Sequence, residues 1–330
     1  MNKTPQELVI RFIETRDAIR AAFRWESEYI YPACAHIFLA ADRAVDRERL
    51  ERCKAMVKST TGPFSSFRGN IKLPLICMLA AGDEPEARWE GTERTYGLLK
   101  EAFFSSEYLA LAALILSEEV PETDIPALAA RGKGLYQRMK KEHPFLTGQE
   151  DSVFALLLAE SQRTDDELID DMETCYRLLD ERFPKGDGLQ SASHVLALSP
   201  KTPEEKVRRM IALFDGIQNA GGKYGKDRQL PILAALSLGT ASEEELVRGI
   251  MDLDGLLAQQ KGYKGVFSLD RRTRMMHAAM LLSLPDRQME VVNAAAQQAT
   301  LAMIAAQQAL LCAVVASSAA SSAAASNASH

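Results

Sequence analysis

The sequence predicts an all-α protein made of tandem antiparallel helical hairpins, and three observations carry that prediction. The stretch from Gln229 to Gly265 reads as one complete hairpin. A short apolar helix runs from Pro231 to Leu238 and Gly239 breaks it, after which Ser242 and Glu245 make a capping box. A longer helix follows, with Leu246, Ile250, Leu253 and Leu257 on one face and with Gly262 and Gly265 at the chain reversal. Second, short apolar helices end near Ala41, Ala81, Ser117, Ser161, Ser199, Ser237 and Ser283, a spacing of about 40 residues that suits two-helix repeats. Third, the punctuation recurs. Thr164 with Glu167 and Thr202 with Glu205 repeat the capping box, and Gly148, Gly186, Gly188, Gly221, Gly222 and Gly225 repeat the exit.

Taken in order, segment 1–24 is a lone amphipathic helix over Gln6–Phe23, with Leu8, Phe12, Ile19 and Phe23 on one stripe. Residues 25–290 form an array of about seven hairpin units. Within it the short helices, such as 109–116, are apolar nearly all round and need cover on both faces. The long helices carry single stripes: Leu168, Met172, Cys175 and Leu179, then Val207, Met210, Ile211, Phe214 and Ile217. Several exits hold an aromatic (Phe145, Phe183, Tyr224, Tyr263) placed to pack over the preceding turn. Such hairpins stack as an α-α superhelix or, alternatively, close into an α/α toroid. Residues 291–316 form an Ala/Gln-rich helix without a charged side chain, expected to pack on the array or on a second copy, and 317–330 is a low-complexity tail that frays.

Composition bounds the function. A net charge of −6 argues against nucleic acid as the partner, and clusters such as Arg271, Arg272 and Arg274 read as a solvated rim. The five cysteines (Cys34, Cys53, Cys77, Cys175 and Cys312) have neither metal nor redox spacing and suit a reducing cytoplasm. Glu7, Arg11, Glu14 and Arg16 interrupt the first apolar stretch, so no signal peptide is read. Ala294 to Ala316 is long enough to span a bilayer, but its four glutamines and the lack of a basic residue after Arg287 argue against insertion.

Motif readings mostly dissolve into helix punctuation. Asp165, Asp166, Glu167, Asp170 and Asp171 resemble a magnesium-binding run, yet they sit in the first turns of a capped helix on its polar face. The loop Gly221–Lys226 lacks the first glycine and the Ser/Thr of a phosphate loop. Asp151, Asp187, Asp227 and Asp270 each precede a short helix, where N-capping accounts for them. In a toroid the same carboxylates would gather at one rim. His36, His194 and His277 fall at nearly one repeat position and are candidate cavity or ligand residues, either as converging ligands or as semi-buried structural histidines. Gln190 and Ser193 join that candidate set, with cross-bracing between neighbouring units as their structural role. No cofactor motif, metal motif or nucleophile elbow is present.

Phe145-Leu146-Thr147-Gly148 followed by Asp151, Leu189-Gln190 with Ser193 to Leu198, and the Ala/Gln-rich end resemble an uncharacterised bacterial family known as domain-of-unknown-function family 4003. The resemblance covers most of the chain and implies a helical protein without assigning it an activity. The expectation is a cytoplasmic scaffold that binds a protein or peptide, and a separate reading is a homo-oligomer organised through the Ala/Gln helix. The alternative is an α/α-toroid enzyme with a His/Asp-lined cavity.

Overall fold

A computed structural model describes residues 4–24, 26–265 and 268–284; the helix expected over 291–316 and the tail 317–330 lie outside the described residues. Among the described residues the chain is helical and contains no strand. Its helices are α1 (Pro5–Ala22), α2 (Ile30–Ala40), α3 (Arg47–Thr60), α4 (Lys72–Ala81), α5 (Pro85–Leu99), α6 (Glu107–Glu119) and α7 (Ile125–Glu142), then α8 (Asp151–Ala159), α9 (Asp165–Asp180), α10 (Asp187–Ala197), α11 (Pro203–Asn219), α12 (Leu230–Ser237), α13 (Glu243–Leu257) and α14 (Arg271–Leu282). None of the described helices is long and apolar enough to cross a membrane.

Two compact units emerge. One takes Phe12–Gly97 and Phe104–Glu122 and holds α2 to α6. In it α2, α4 and α6 are buried almost end to end, and α2 and α3 both pack on α4. Phe67 sets its ring edge-on to Trp89 and Tyr96, and Trp89 donates its indole N–H to Thr60 Oγ1 at 2.9 Å. The other unit takes Leu98–Phe103 and the chain from Thr123 onward, holding α7 to α14. Here the buried helices α8, α10, α12 and α14 neighbour one another in chain order, and so do the amphipathic helices α7, α9, α11 and α13.

The starts and stops follow from local chemistry. Thr164 with Glu167 and Ser242 with Glu245 form complete capping boxes, and Thr4 with Glu7 exchanges the same bonds ahead of α1. Thr202 makes only half of its expected box: it accepts from Glu205 N–H, but the Glu205 carboxylate bonds Lys201 Nζ at 3.0 Å instead. The competing cation explains the difference. At the exits Gly221 (φ 81°) and Gly262 (φ 88°) take the left-handed conformation that a side chain resists. Tyr224, Tyr263 and Phe183 are buried, whereas Phe145, in the turn after His143, is 99% exposed.

A buried helix still has carbonyls at its C-terminal end that no amide reaches. Basic side chains from other elements supply the missing donors. Arg49 of α3 bonds Ala80 O at 2.8 Å and Gly82 O beyond α4. Arg131 of α7 bonds Ala159 O at 2.9 Å and reaches the Ser161 and Arg163 carbonyls beyond α8. Arg163 bonds Ala197 O at the end of α10, and Arg209 of α11 bonds Ala241 O past α12.

Lys206 is the most deeply placed member of this set. Its Nζ sits 2.7 Å from both carboxylate oxygens of Asp171 and donates to Ser199 O at 3.1 Å, while the two side chains are 0% and 4% exposed. Arg163 adds a second cation 2.7 Å from Asp171 Oδ2. Asp171 therefore leaves the solvated face on which its acidic neighbours lie and joins the core, because it shares a stripe with Leu168 and Cys175. Removing Asp171 strands the buried ammonium of Lys206, whereas removing Lys206 leaves Asp171 with Arg163. Asp171→Leu is expected to cost about 3 kcal/mol or more, whereas Asp171→Leu with Lys206→Met together should return to within about 1 kcal/mol of wild type. Urea unfolding of wild type, the two single variants and the double variant tests this; a double variant whose loss equals the sum of the two single losses would contradict it.

Candidate functional site

Asp151, Asp187 and Asp227 do not cap the helices they precede. The chain enters α8 and α12 already in helical conformation (Glu150 φ −58°, ψ −35°), so no side chain there is turned back toward the first amides. The N-cap of α10 is Gly186, which has no side chain to offer. Only Asp270 has extended cap geometry, and it accepts from Arg272 N–H at 2.8 Å and Thr273 N–H at 3.1 Å. Three aspartates are thus left at the N-terminal ends of α8, α10 and α12 without a capping role.

The start of α10 brings these carboxylates near one another. Gly188 packs so closely on Asp227 that a Cβ there would come within 2.3 Å of the Asp227 carbonyl and 2.8 Å of its Oδ1. Asp187 and Asp227 are exposed, Glu150 is half-buried, and Asp151 is 2% exposed. Partial burial, followed by Asp227 and Asp151, holds the Asp187 carboxyl above the ordinary carboxylate range, with Arg228 opposing. Burial also raises Glu150, helped by Asp151 and Asp187 and opposed by Lys140. The tyrosine of α7 at this edge, Tyr136, is raised by burial and then by Asp151 and Glu150.

Beneath the carboxylates lies a polar floor. Asp151 Oδ2 accepts from Gly148 N–H at 2.8 Å. Gln190 Nε2 donates to Thr147 Oγ1 at 2.9 Å, which passes its own hydrogen to Met139 O at 3.2 Å, so Gln190 ties α10 to the loop ahead of α8. His194, 2% exposed and edge-on to Phe154, points Nδ1 at Asp151 Oδ1 from 3.3 Å. That distance is within ion-pair range but off hydrogen-bond alignment, and Nδ1 makes no hydrogen bond. The arrangement is a mouth of carboxylates over a buried histidine.

The remaining candidates make local contacts. His277 on α14 meets the Tyr263 hydroxyl through Nδ1 at 2.7 Å. His36 is buried on α2, in the other compact unit. Ser193 donates to Gln190 O at 2.8 Å along its own helix. Among the described residues no three His, Cys, Asp or Glu side chains are arranged to hold a metal ion. Cys34 and Cys77 meet across α2 and α4, and burial pushes the Cys34 thiol up; burial pushes Cys175 up to about 12 against the pull of Lys206. Such thiols are poor nucleophiles. An open cavity of about 450 Å³ lies between α9 and α11, with Leu178, Val207 and Ile211 among its apolar lining and Glu181, Glu204 and Asp215 among its acidic lining.

Glu150 and Tyr136 escaped the sequence reading. The signal that could have found them was positional: Glu150 adjoins Asp151, and Tyr136 stands one residue past the buried Leu135.

An all-helical protein with a carboxylate mouth at the starts of three buried helices is the class that fold and site define. The chain belongs to the family described as "Protein of unknown function (DUF4003)", whose model matches residues 16–309. It is also 28% identical over 263 residues to a protein of Bacillus subtilis (strain 168) described as "Uncharacterized protein YeaA", an alignment that covers 77% of this chain and 78% of that protein. No solved structure matches.

The raised carboxyls set a direction for stability. A carboxyl whose folded pKa exceeds its unfolded one binds its proton more tightly when folded, so stability falls as pH rises from the unfolded value of about 3.9 through the folded one. Asp187→Asn with Asp227→Asn is therefore expected to unfold at a higher temperature than wild type near pH 7, with the gap closing near pH 3. Added salt should shrink the gap, since Asp187 and Asp227 are exposed. Calorimetry across pH measures it, and a variant less stable than wild type at pH 7 would mean the carboxylates stabilise the fold.

Proposed function

We propose that the protein is a helical-repeat binding scaffold whose mouth at the starts of α8, α10 and α12 receives part of a protein or peptide partner. In this reading 1–24 is an N-terminal helix and 25–290 an array of about 40-residue hairpins stacked as a superhelix. Chain-order packing of the buried and amphipathic helices supports the array, as do the basic side chains at successive buried helix ends. The observation that carries the binding role is that the exposed Asp187 and Asp227 are neighbours at the starts of α10 and α12 and cap neither helix.

Aromatic exposure points the same way. Phe64 is 100% and Phe104 85% exposed in one compact unit, and Phe145 is 99% exposed in the other, each in the loop after a long helix. Exposed aromatics of this kind anchor protein partners. A photo-cross-linking residue in place of Lys226, beside Asp227, is expected to trap a discrete cellular protein that Asp187→Asn with Asp227→Asn no longer yields. Equal trapping by the same residue placed at Asp252, on the exposed face of α13, would count against a specific mouth.

His194 facing Asp151 favours a second reading, the toroid enzyme with a His/Asp-lined cavity, since a carboxylate beside Nδ1 orients an imidazole as a general base.

A further inference from the structure

The open cavity of about 450 Å³ between α9 and α11 shares no residue with the mouth. The two helices run side by side in the same direction: Lys206 meets Asp171 near their starts, and Arg182, just past α9, meets Asp215 late in α11. The cavity is a groove along their axes. Between Glu204 and Asp215 its lining covers three turns of α11, about 16 Å.

The floor of the groove is apolar. Val207, Ile211 and Ala212 supply it from α11 and Leu178 from α9. Leu178, Ile211 and Ala212 are only half-buried, although the same helices bury Leu179, Met210 and Phe214 fully. Ile211, which the sequence puts on the core stripe of α11, thus faces the groove instead.

The rim is acidic at both ends, with Glu204 at one and Glu181 and Asp215 at the other. Asp215 is matched by Arg182 at 2.6 Å. Arg208, the cation in the lining, also acts on Glu205, whose carboxyl is held down first by Lys201 and then by Arg208. Glu181 and Glu204 are exposed and form no ion pair with another described residue.

Shape and charge together select the occupant. A phosphate backbone is repelled by carboxylates at both ends. An amphipathic helix lays apolar side chains one turn apart into a groove of this kind, and the long stems of lysine and arginine let their charges reach a rim. We propose that the α9–α11 groove docks a short amphipathic helix of a partner protein, with apolar side chains on Leu178 and Ile211 and basic side chains at its two ends against Glu181 and Glu204. The proposal does not depend on the mouth.

Selection of a phage-displayed library of random peptides, about 16 residues each, on the full chain tests this. Enriched peptides should carry apolar residues at helical spacing with lysine or arginine toward both ends. The best of them, synthesised with a fluorescent label, should weaken about tenfold with Glu181→Gln/Glu204→Gln, as expected when two exposed ion pairs are lost. Leu178→Lys, which sets a like charge in the floor, should abolish binding. Glu244→Gln/Asp252→Asn removes the same charge from the exposed face of α13 and should leave affinity unchanged, as should Asp187→Asn/Asp227→Asn. An equal loss in the α13 control would overturn the proposal in favour of diffuse attraction. A loss only with Asp187→Asn/Asp227→Asn would move the site to the mouth and overturn the groove. Enrichment of acidic peptides, or of none, would also overturn it. Sedimentation of the chain alone completes the test: a dimer that Leu178→Lys splits would make the occupant a second copy and overturn the partner helix.

Discussion

The structure depends on a single difficulty: helices that are buried on every side still end in carbonyls that need donors. Leaving one such group unmade costs about 1–3 kcal/mol, which no amount of apolar packing around it removes. The chain meets this with basic side chains brought in from other elements, Arg49 for α4, Arg131 for α8, Arg163 for α10 and Arg209 beyond α12. Each cation also complements the negative end of a helix dipole, so one contact serves both hydrogen bonding and electrostatics. The apolar stripes decide which helices are inside, and the arginines let them stay there.

The same polarity explains how the opposite ends tolerate a group of carboxylates. Asp151, Asp187 and Asp227 sit at the positive ends of α8, α10 and α12, where the dipole offsets part of their mutual repulsion. Burial first, and then the neighbouring carboxylates, still hold the Asp187 and Glu150 carboxyls up. Buried helices with basic groups at one end and acidic groups at the other therefore divide the labour: one end holds the fold together, and the other is left with unspent charge.

Much of the helical framework was legible in the sequence because its signals are local. Ser242 with Glu245, Thr164 with Glu167 and the stop at Gly262 act over four residues or fewer, and they appear where the residues predict. What stayed hidden is long-range. The partner of Lys206 lies 35 positions away, and the Arg131 carbonyl contacts are about as distant, so neither leaves a periodic trace. The Thr202 box lost its second half to Lys201, a neighbour whose competition depends on side-chain reach. The aspartates misled for a related reason: residue type matches a cap, but the N-cap positions of α8, α10 and α12 fall on Glu150, Gly186 and Gln229, and of the four only Asp270 occupies one. For the site, Gln190 and His194 were visible as polar residues on an apolar helix, while Glu150 and Tyr136 became relevant only once α7, α8 and α10 were neighbours.

The buried pair of Asp171 and Lys206 has a consequence for alignment. Hydrophobic contact is non-directional, so the apolar stripes of α9 and α11 set their axial offset less sharply than a charge pair does; a slip of one helical turn is about 5.4 Å. Such a slip would pull Lys206 Nζ away from both carboxylate oxygens and leave two opposite charges in a dry interior without each other. Attraction between them adds little beyond what an apolar pair would give, but misalignment is heavily penalised. Lys206 thus works as a register pin, choosing one axial offset for α9 and α11 from several that hydrophobic contact alone would accept.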